Sequence, residues 1–173
     1  VGQDRLDPMR WQLLAVVLEW GFAAAMAVSA VLDIRFRRLP NGLNLAVALG
    51  FLPWAWATGL GWDQLAIHVV VGIAVLGLGF ALFATGVIGG GDAKLGAAVA
   101  LWIGFSFADP FDLLRFFLVM SLAGGVLAVF ALVWQRAARR QLTRALPYGV
   151  AIGVAGLDYW LRHSQAAAVL SGF

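Results

Sequence analysis

The sequence has no cysteine and only two histidines, His68 and His163. The absence of cysteine excludes disulfides, thiolate zinc sites and a cysteine nucleophile. Two histidines far apart in the chain give no basis for a metal site. Charge is also scarce, since Asp, Glu, Lys and Arg make up only 12% of the 173 residues. We therefore expect no metal, no other cofactor and no nucleic-acid partner.

Hydrophobic residues, by contrast, make up 62% of the chain, and the mean hydropathy is +0.90. Ordinary soluble domains do not have this composition. The apolar residues fall into runs close to the length of about 20 residues that crosses a bilayer as a helix. We predict an all-α fold, a polytopic integral membrane helical bundle with about six transmembrane helices. Residues 9–173 are expected to form a single membrane-embedded domain, and residues 1–8 a processed end or a cloning remnant.

Six apolar runs are separated by polar or glycine-rich segments. They extend over residues 11–32, 42–60, 65–88, 93–107, 113–134 and 148–161, and the tail, 162–173, is expected along the membrane interface. If the runs cross the membrane in alternation, one side receives the basic residues Arg35, Arg37, Arg38, Lys94, Arg136, Arg139, Arg140 and Arg144. The other side receives Asp63, Asp109 and Asp112. The basic side is predicted to be cytoplasmic.

Two aspartates are predicted to lie on this cytoplasmic side. Asp33 closes the first run and Asp92 opens the fourth, directly after Gly89, Gly90 and Gly91. The glycines are expected to form a flexible hinge that another chain can approach closely. If the first and fourth helices touch, the carboxyls can meet and hold one proton between them, because both cannot easily ionise. Such a pair offers a base that activates water and an acid that protonates a leaving amine.

Each aspartate also has a structural interpretation. Asp92 could be a helix N-cap, and Asp33 could form an ion pair with Arg37. Lys94 could hold charge in the site or extend to the lipid headgroups. Glu19 lies inside the first run, and its role is left open.

Two motifs around these aspartates resemble those of a known family. The segment from Gly89 to Lys94, Gly-Gly-Gly-Asp-Ala-Lys, is similar to the second motif of the GxGD membrane aspartyl proteases, in the form that type IV prepilin peptidases carry. Asp33 followed by Leu39-Pro40-Asn41 resembles the first motif of that family. Pro147-Tyr148-Gly149 resembles its late Pro-aromatic-Gly element. Because it has no cysteine and only a short loop, 33–41, the chain resembles the peptidase-only branch of the family, which serves Flp or tight-adherence pili.

The resemblance implies an aspartyl endopeptidase that cuts the short basic leader from prepilins at the cytoplasmic edge of the membrane. It makes Asp33 and Asp92 the catalytic residues. It places eight further residues in substrate binding or site shaping: Gly89, Gly90, Gly91, Lys94, Pro40, Asn41, Pro147 and Gly149. The implied partners are prepilin substrates and membrane lipid, and the resemblance does not carry over N-methyltransferase activity. The alternatives are a proton-coupled transporter with the two aspartates as proton carriers, and an assembly scaffold without enzymatic activity.

Overall fold

The computed structural model describes residues 6–106, 110–138 and 147–164 and contains six helices over these ranges. They are α1 (Leu6–Phe36), α2 (Asn41–Ala57), α3 (Trp62–Ala84), α4 (Gly90–Ile103), α5 (Phe111–Ala138) and α6 (Tyr148–His163). No strand occurs in the described residues. The prediction of an all-helical chain with six helices in this order is confirmed. Of the sequence predictions, those on residues 1–5, Phe107, Asp109, Arg139, Arg140, Arg144 and residues 165–173 lie outside the described residues.

Three helices, α1, α3 and α5, are long and apolar enough to cross a membrane by length and composition. The alternate helices α2, α4 and α6 have only 17, 14 and 16 residues. At 1.5 Å per residue, the shortest extends over roughly 21 Å, less than a hydrocarbon core of about 30 Å. It is also the most enclosed, because a continuous run of its residues is buried, from Leu95 to Ala100. The short helix α4 is therefore the centre of the bundle.

The helices pack around α4 in a defined pattern. Helix α3 packs on α4, α1 packs on α6 and on α2, and α5 packs on α6. Helices α2 and α6 also pack on α4. Because α1 and α4 both pack on α2 and on α6, their ends are brought together through these two shared neighbours.

Among the helix boundaries that differ from the sequence prediction, two lie on either side of the predicted site. Helix α1 continues through Asp33 to Phe36, so this aspartate does not end the helix. The chain leaves α1 at Arg37, whose φ of 52° lies in the left-handed region. Helix α3 ends at Ala84 rather than at Ile88, because Gly86 adopts a φ of 77° just after the last turn. A left-handed residue at this position is a common helix stop.

A cluster of large side chains holds α1, α2 and α4 together. The Trp102 ring lies 4.8 Å from the ring of Phe22 and 5.4 Å from that of Trp54, measured between centroids. Its Nε1–H donates a hydrogen bond of 2.8 Å to the carbonyl oxygen of Val47. This bond satisfies the one polar atom of a buried indole, which is costly to leave without a partner.

Small residues allow two close helix crossings. A Cβ placed on Gly79 would lie 3.0 Å from Ala93 Cβ, where α3 crosses α4. A Cβ on Gly153 would lie 2.8 Å from the carbonyl oxygen of Met26, where α6 crosses α1. Close approach is the usual role of glycine in membrane helices. Gly77 lies two residues before Gly79, but a Cβ on it would meet nothing within 4 Å. Gly77 is therefore not needed for a close helix crossing.

Candidate active site

Asp33 lies near the end of α1 and faces the beginning of α6. Only 6% of Asp33 is exposed. The main-chain N–H groups of Gly149 and Val150, in the first turn of α6, interact with its carboxylate. The main-chain N–H groups at a helix N-terminus favour a nearby anion. The Oδ2 atom is nevertheless buried and accepts no hydrogen bond from a described residue.

Asp92 lies in the first turn of α4. Gly89 is the N-cap of this helix, so the interpretation of Asp92 as the N-cap is wrong. The Asp92 carboxylate instead folds back towards the N-cap and interacts with the main-chain N–H of Gly89. This is the back-reaching half of a capping box, with aspartate in place of the usual glutamate. The side chain is half-buried.

The two carboxylates lie close enough for the charge of Asp33 to act directly on Asp92. The guanidinium of Arg37, four residues further along the chain, also interacts electrostatically with Asp33. Two neighbouring carboxyls in a largely buried site can hold one proton between them, because a second negative charge there is costly. Such an arrangement can offer a proton donor and a proton acceptor side by side.

Leu39 connects the two aspartate-bearing segments. A Cβ on Gly91 would lie 3.1 Å from Leu39 Cβ, and a Cβ on Gly149 would lie 3.0 Å from Leu39 Cδ1. The side chain of Leu39 thus rests on α4 just before Asp92 and on the first turn of α6 beside Asp33. Both glycines are needed here for close approach.

The three glycines before Asp92 do not form a hinge. Gly90 and Gly91 belong to the first turn of α4, and none of the three has a positive φ. They serve packing: Gly91 against Leu39, and Gly90 against the Phe83 ring, which lies 3.4 Å from the position of a Cβ. The prediction of a flexible segment is therefore wrong, since a helix forms where the glycines leave room for neighbours.

Near Asp92, two side-chain hydrogen bonds connect helix α2 to α4. Lys94 Nζ donates to Asn41 Oδ1 at 2.9 Å, and Asn44 Nδ2 donates to the carbonyl oxygen of Gly91 at 3.1 Å. The first bond brings together two residues of the sequence-predicted site. Asn44 was missed by sequence reasoning. The sequence feature that could have identified Asn44 is its amide side chain, which lies one helical turn after Asn41 in an otherwise apolar run.

Both predicted prolines are N-caps. Pro40 precedes α2, and its carbonyl oxygen accepts hydrogen bonds from the N–H groups of Leu43 and Asn44. Pro147 precedes α6, and its carbonyl oxygen accepts from Val150. The prolines therefore set where the two short helices begin, and through them where Asn44 and Gly149 lie.

Glu19 is not part of this site. It is 6% exposed and accepts a hydrogen bond of 3.3 Å from Trp54 Nε1 of α2. Charged residues within apolar helices usually face another helix of the bundle in this way.

Ion pairs join α5 to α6 at the opposite end of the bundle. Arg162 pairs with Asp158, as their spacing predicts, and also with Asp112 at 2.8 Å. Arg115 bonds to Asp158 at 3.1 Å rather than to its sequence neighbour Asp112. These contacts close the end of the bundle and lie apart from the two aspartates.

The comparisons with known proteins give one match. Residues 20–129, more than half of the chain, match the model of the type IV leader peptidase family. No curated protein matches the chain, and no solved structure matches it. The matched range includes Asp33, Leu39, Asn44 and Asp92 of the site described above. The chain therefore belongs to the type IV leader peptidase family.

Proposed function

We propose that this leader peptidase is an aspartyl endopeptidase in which Asp33 and Asp92 activate the attacking water. The observation that carries the proposal is the pairing itself. Asp33 is buried with one free oxygen, and its charge acts on Asp92. A free, buried carboxylate oxygen is costly, and such costs concentrate at functional sites.

The proposed reaction uses the single proton that the pair shares. The ionised carboxylate takes a proton from water as the water oxygen attacks the scissile carbonyl carbon. The protonated carboxyl stabilises the carbonyl oxygen, and a proton then passes to the amide nitrogen as the C–N bond breaks. The products are a carboxylate and an amine, and no covalent enzyme intermediate forms. The added water supplies all the atoms that the two products gain. Release of one proton to solvent then returns the aspartate pair to its starting protonation state.

The proposed substrates are Flp-type pilin precursors, cut on the cytoplasmic side of the bacterial inner membrane. Arg35, Arg37 and Lys94 lie at the aspartate end of the bundle, whereas Asp63 and Asp112 lie at the other end. This distribution supports a cytoplasmic site by the excess of basic residues on that side. A glycine at the cleaved bond suits the reaction, since glycine weakens the helix that must open before a peptide bond is accessible.

The proton-carrier alternative has less support. Carriers of this kind place their ionisable groups near the middle of the membrane, on interrupted helices. Here Asp33 lies in the last turn of one continuous helix and Asp92 in the first turn of another. Membership of a peptidase family also supports hydrolysis over transport.

The test is cleavage of a leader-bearing Flp-type pilin precursor by the purified chain in proteoliposomes. Mass spectrometry of the products should show loss of the leader at one bond, after a glycine. A precursor with valine in place of that glycine is the matched control and should be cleaved much more slowly. Absence of any cleavage, with the chain folded and inserted, would contradict the proposed activity.

A further inference from the structure

A groove lies between α2 and α3, on the surface of α4. Both flanking helices pack on α4, but over the described residues they share no extensive interface with each other. The groove has a volume of about 520 Å³. Its floor includes Ala97 and Ala98 of α4, and its walls include Leu45 of α2 and Leu76 of α3. Small residues on a floor and large apolar residues on the walls suit a second helix in a membrane.

One end of the groove lies beside the first turn of α4, the turn that carries Asp92. Asn44 and Lys94 line this end. Asn44 bonds through Nδ2 to the carbonyl oxygen of Gly91, the residue directly before Asp92. A chain bound against Asn44 therefore lies within about one helical turn of Asp92, since these contacts follow one another along the first turn of α4.

Asn44 also indicates the chemistry of the occupant. It is 4% exposed, and its Oδ1 accepts no hydrogen bond from a described residue. A buried amide oxygen without a donor is costly, so the occupant should supply one. A main-chain N–H of a peptide is such a donor, and an extended segment leaves it free. A lipid acyl chain has no donor, so the amide favours a peptide.

We propose that the groove binds the apolar segment of the protein substrate, with a main-chain N–H at Asn44 Oδ1 next to the scissile bond. From Lys94 to Leu101 the groove follows eight residues of α4, a rise of roughly 10 Å, which accommodates about two helical turns of substrate. The proposal rests on the peptidase function and adds where the substrate lies. It explains how an apolar helix can enter sideways from the lipid, because the groove walls are exposed, with Leu45 at 58% and Ile73 at 64%.

Two leucines on α3 give a matched test. Leu76 lines the groove, whereas Leu78 does not and lies about 200° further round the helix. Both are exposed, at 40% and 55%. Leu76→Trp should fill the groove and lower kcat/KM on the full-length precursor by roughly tenfold or more, mainly through KM, and Leu78→Trp should not. Equal activity of both variants would overturn the proposal, and this is also the result expected if only a lipid acyl chain occupies the groove.

Crosslinking tests binding independently of cleavage. Because the chain has no cysteine of its own, Leu76→Cys and Leu78→Cys can each be made as single-cysteine proteins. In an Asp92→Asn background, the precursor stays intact, and a cysteine in its apolar segment should form a disulfide with Leu76→Cys and not with Leu78→Cys. Equal crosslinking at both positions would overturn the groove proposal alone. The same holds if no crosslink forms at Leu76→Cys although the parent enzyme cleaves the precursor. Crosslinking at Leu76→Cys, together with a parent enzyme that never cleaves the precursor, would instead overturn the peptidase function.

Discussion

Gly149 offers the sharpest test of how the fold positions Asp33. A Cβ at this position would lie 2.9 Å from Asp33 Oδ2, 3.0 Å from Leu39 Cδ1 and 3.1 Å from Asp33 Cβ. These distances are roughly half an ångström short of ordinary van der Waals contact. In Gly149→Ala the added methyl must therefore displace the carboxylate, Leu39 or the first turn of α6. The change is small in volume but falls directly on a proposed catalytic group.

The expected loss of activity is larger than the loss of stability. A displacement of 1 Å can cost about 100-fold in rate, so about half that displacement should lower kcat by roughly tenfold, or about 1.4 kcal/mol of transition-state stabilisation. The free energy of unfolding should change less. Overpacking costs about 1–3 kcal/mol, but alanine recovers about 0.5–1 kcal/mol by its preference for the helix.

The assay is steady-state cleavage of the precursor in proteoliposomes, with thermal unfolding measured in detergent. Gly96→Ala is the matched control, because a Cβ there would meet nothing within 4 Å. We expect kcat to fall for Gly149→Ala with KM nearly unchanged, and neither to change for Gly96→Ala. A fully active Gly149→Ala enzyme would mean that the position of Asp33 against α6 does not matter for the reaction.

Three further predictions follow from the same packing and chemistry. Gly91→Val should abolish most cleavage with a modest loss of stability, because its branched side chain would collide with Leu39, 3.1 Å from the added Cβ; an active variant would show that this contact is dispensable. Gly79→Val should lower the free energy of unfolding by about 1–3 kcal/mol, because it separates α3 from α4. The control Gly77→Val should not, because the space around its Cβ is open. Equal melting temperatures of the two variants would refute the assigned crossing of α3 and α4. Cleavage by the parent enzyme should persist in strong chelators, and should fall at low pH as the base of the pair is protonated and at high pH as its acid loses the proton. Chelator-sensitive cleavage restored by zinc, or a rate independent of pH, would contradict the carboxylate mechanism.

Much of the fold could be predicted because the apolar runs are long and the interruptions are strongly polar. Helix order follows from these runs, and the site motifs around Asp33 and Asp92 are local in sequence. Helix ends were less predictable. The sequence prediction ended the first helix at a charged residue, but α1 stops only where Arg37 turns into the left-handed region.

The inward faces of the helices could not be read from the sequence. In a membrane both the lipid side and the protein side of a helix are apolar, so hydrophobic periodicity carries little information. The contacts of Leu39 with Gly91 and Gly149 depend on how α2 and α6 pack on α4, which no local pattern encodes. The same holds for Asn44, whose amide became informative only with its partner Gly91 and its free Oδ1 in view. The ion pair of Arg115 with Asp158, rather than with its sequence neighbour Asp112, is likewise a tertiary effect.

The most direct test of the aspartate pair is the cleavage rate of Asp33→Asn and Asp92→Asn, each compared with the parent. Asparagine keeps the shape of the side chain but cannot exchange the proton that the pair must share. Asp63→Asn is the control, since Asp63 is exposed in the first turn of α3 at the other end of the bundle. The account predicts that both site variants fold and insert normally but lose at least about 100-fold in rate, while Asp63→Asn cleaves at the parent rate. Cleavage near the parent rate by either Asp33→Asn or Asp92→Asn would contradict it.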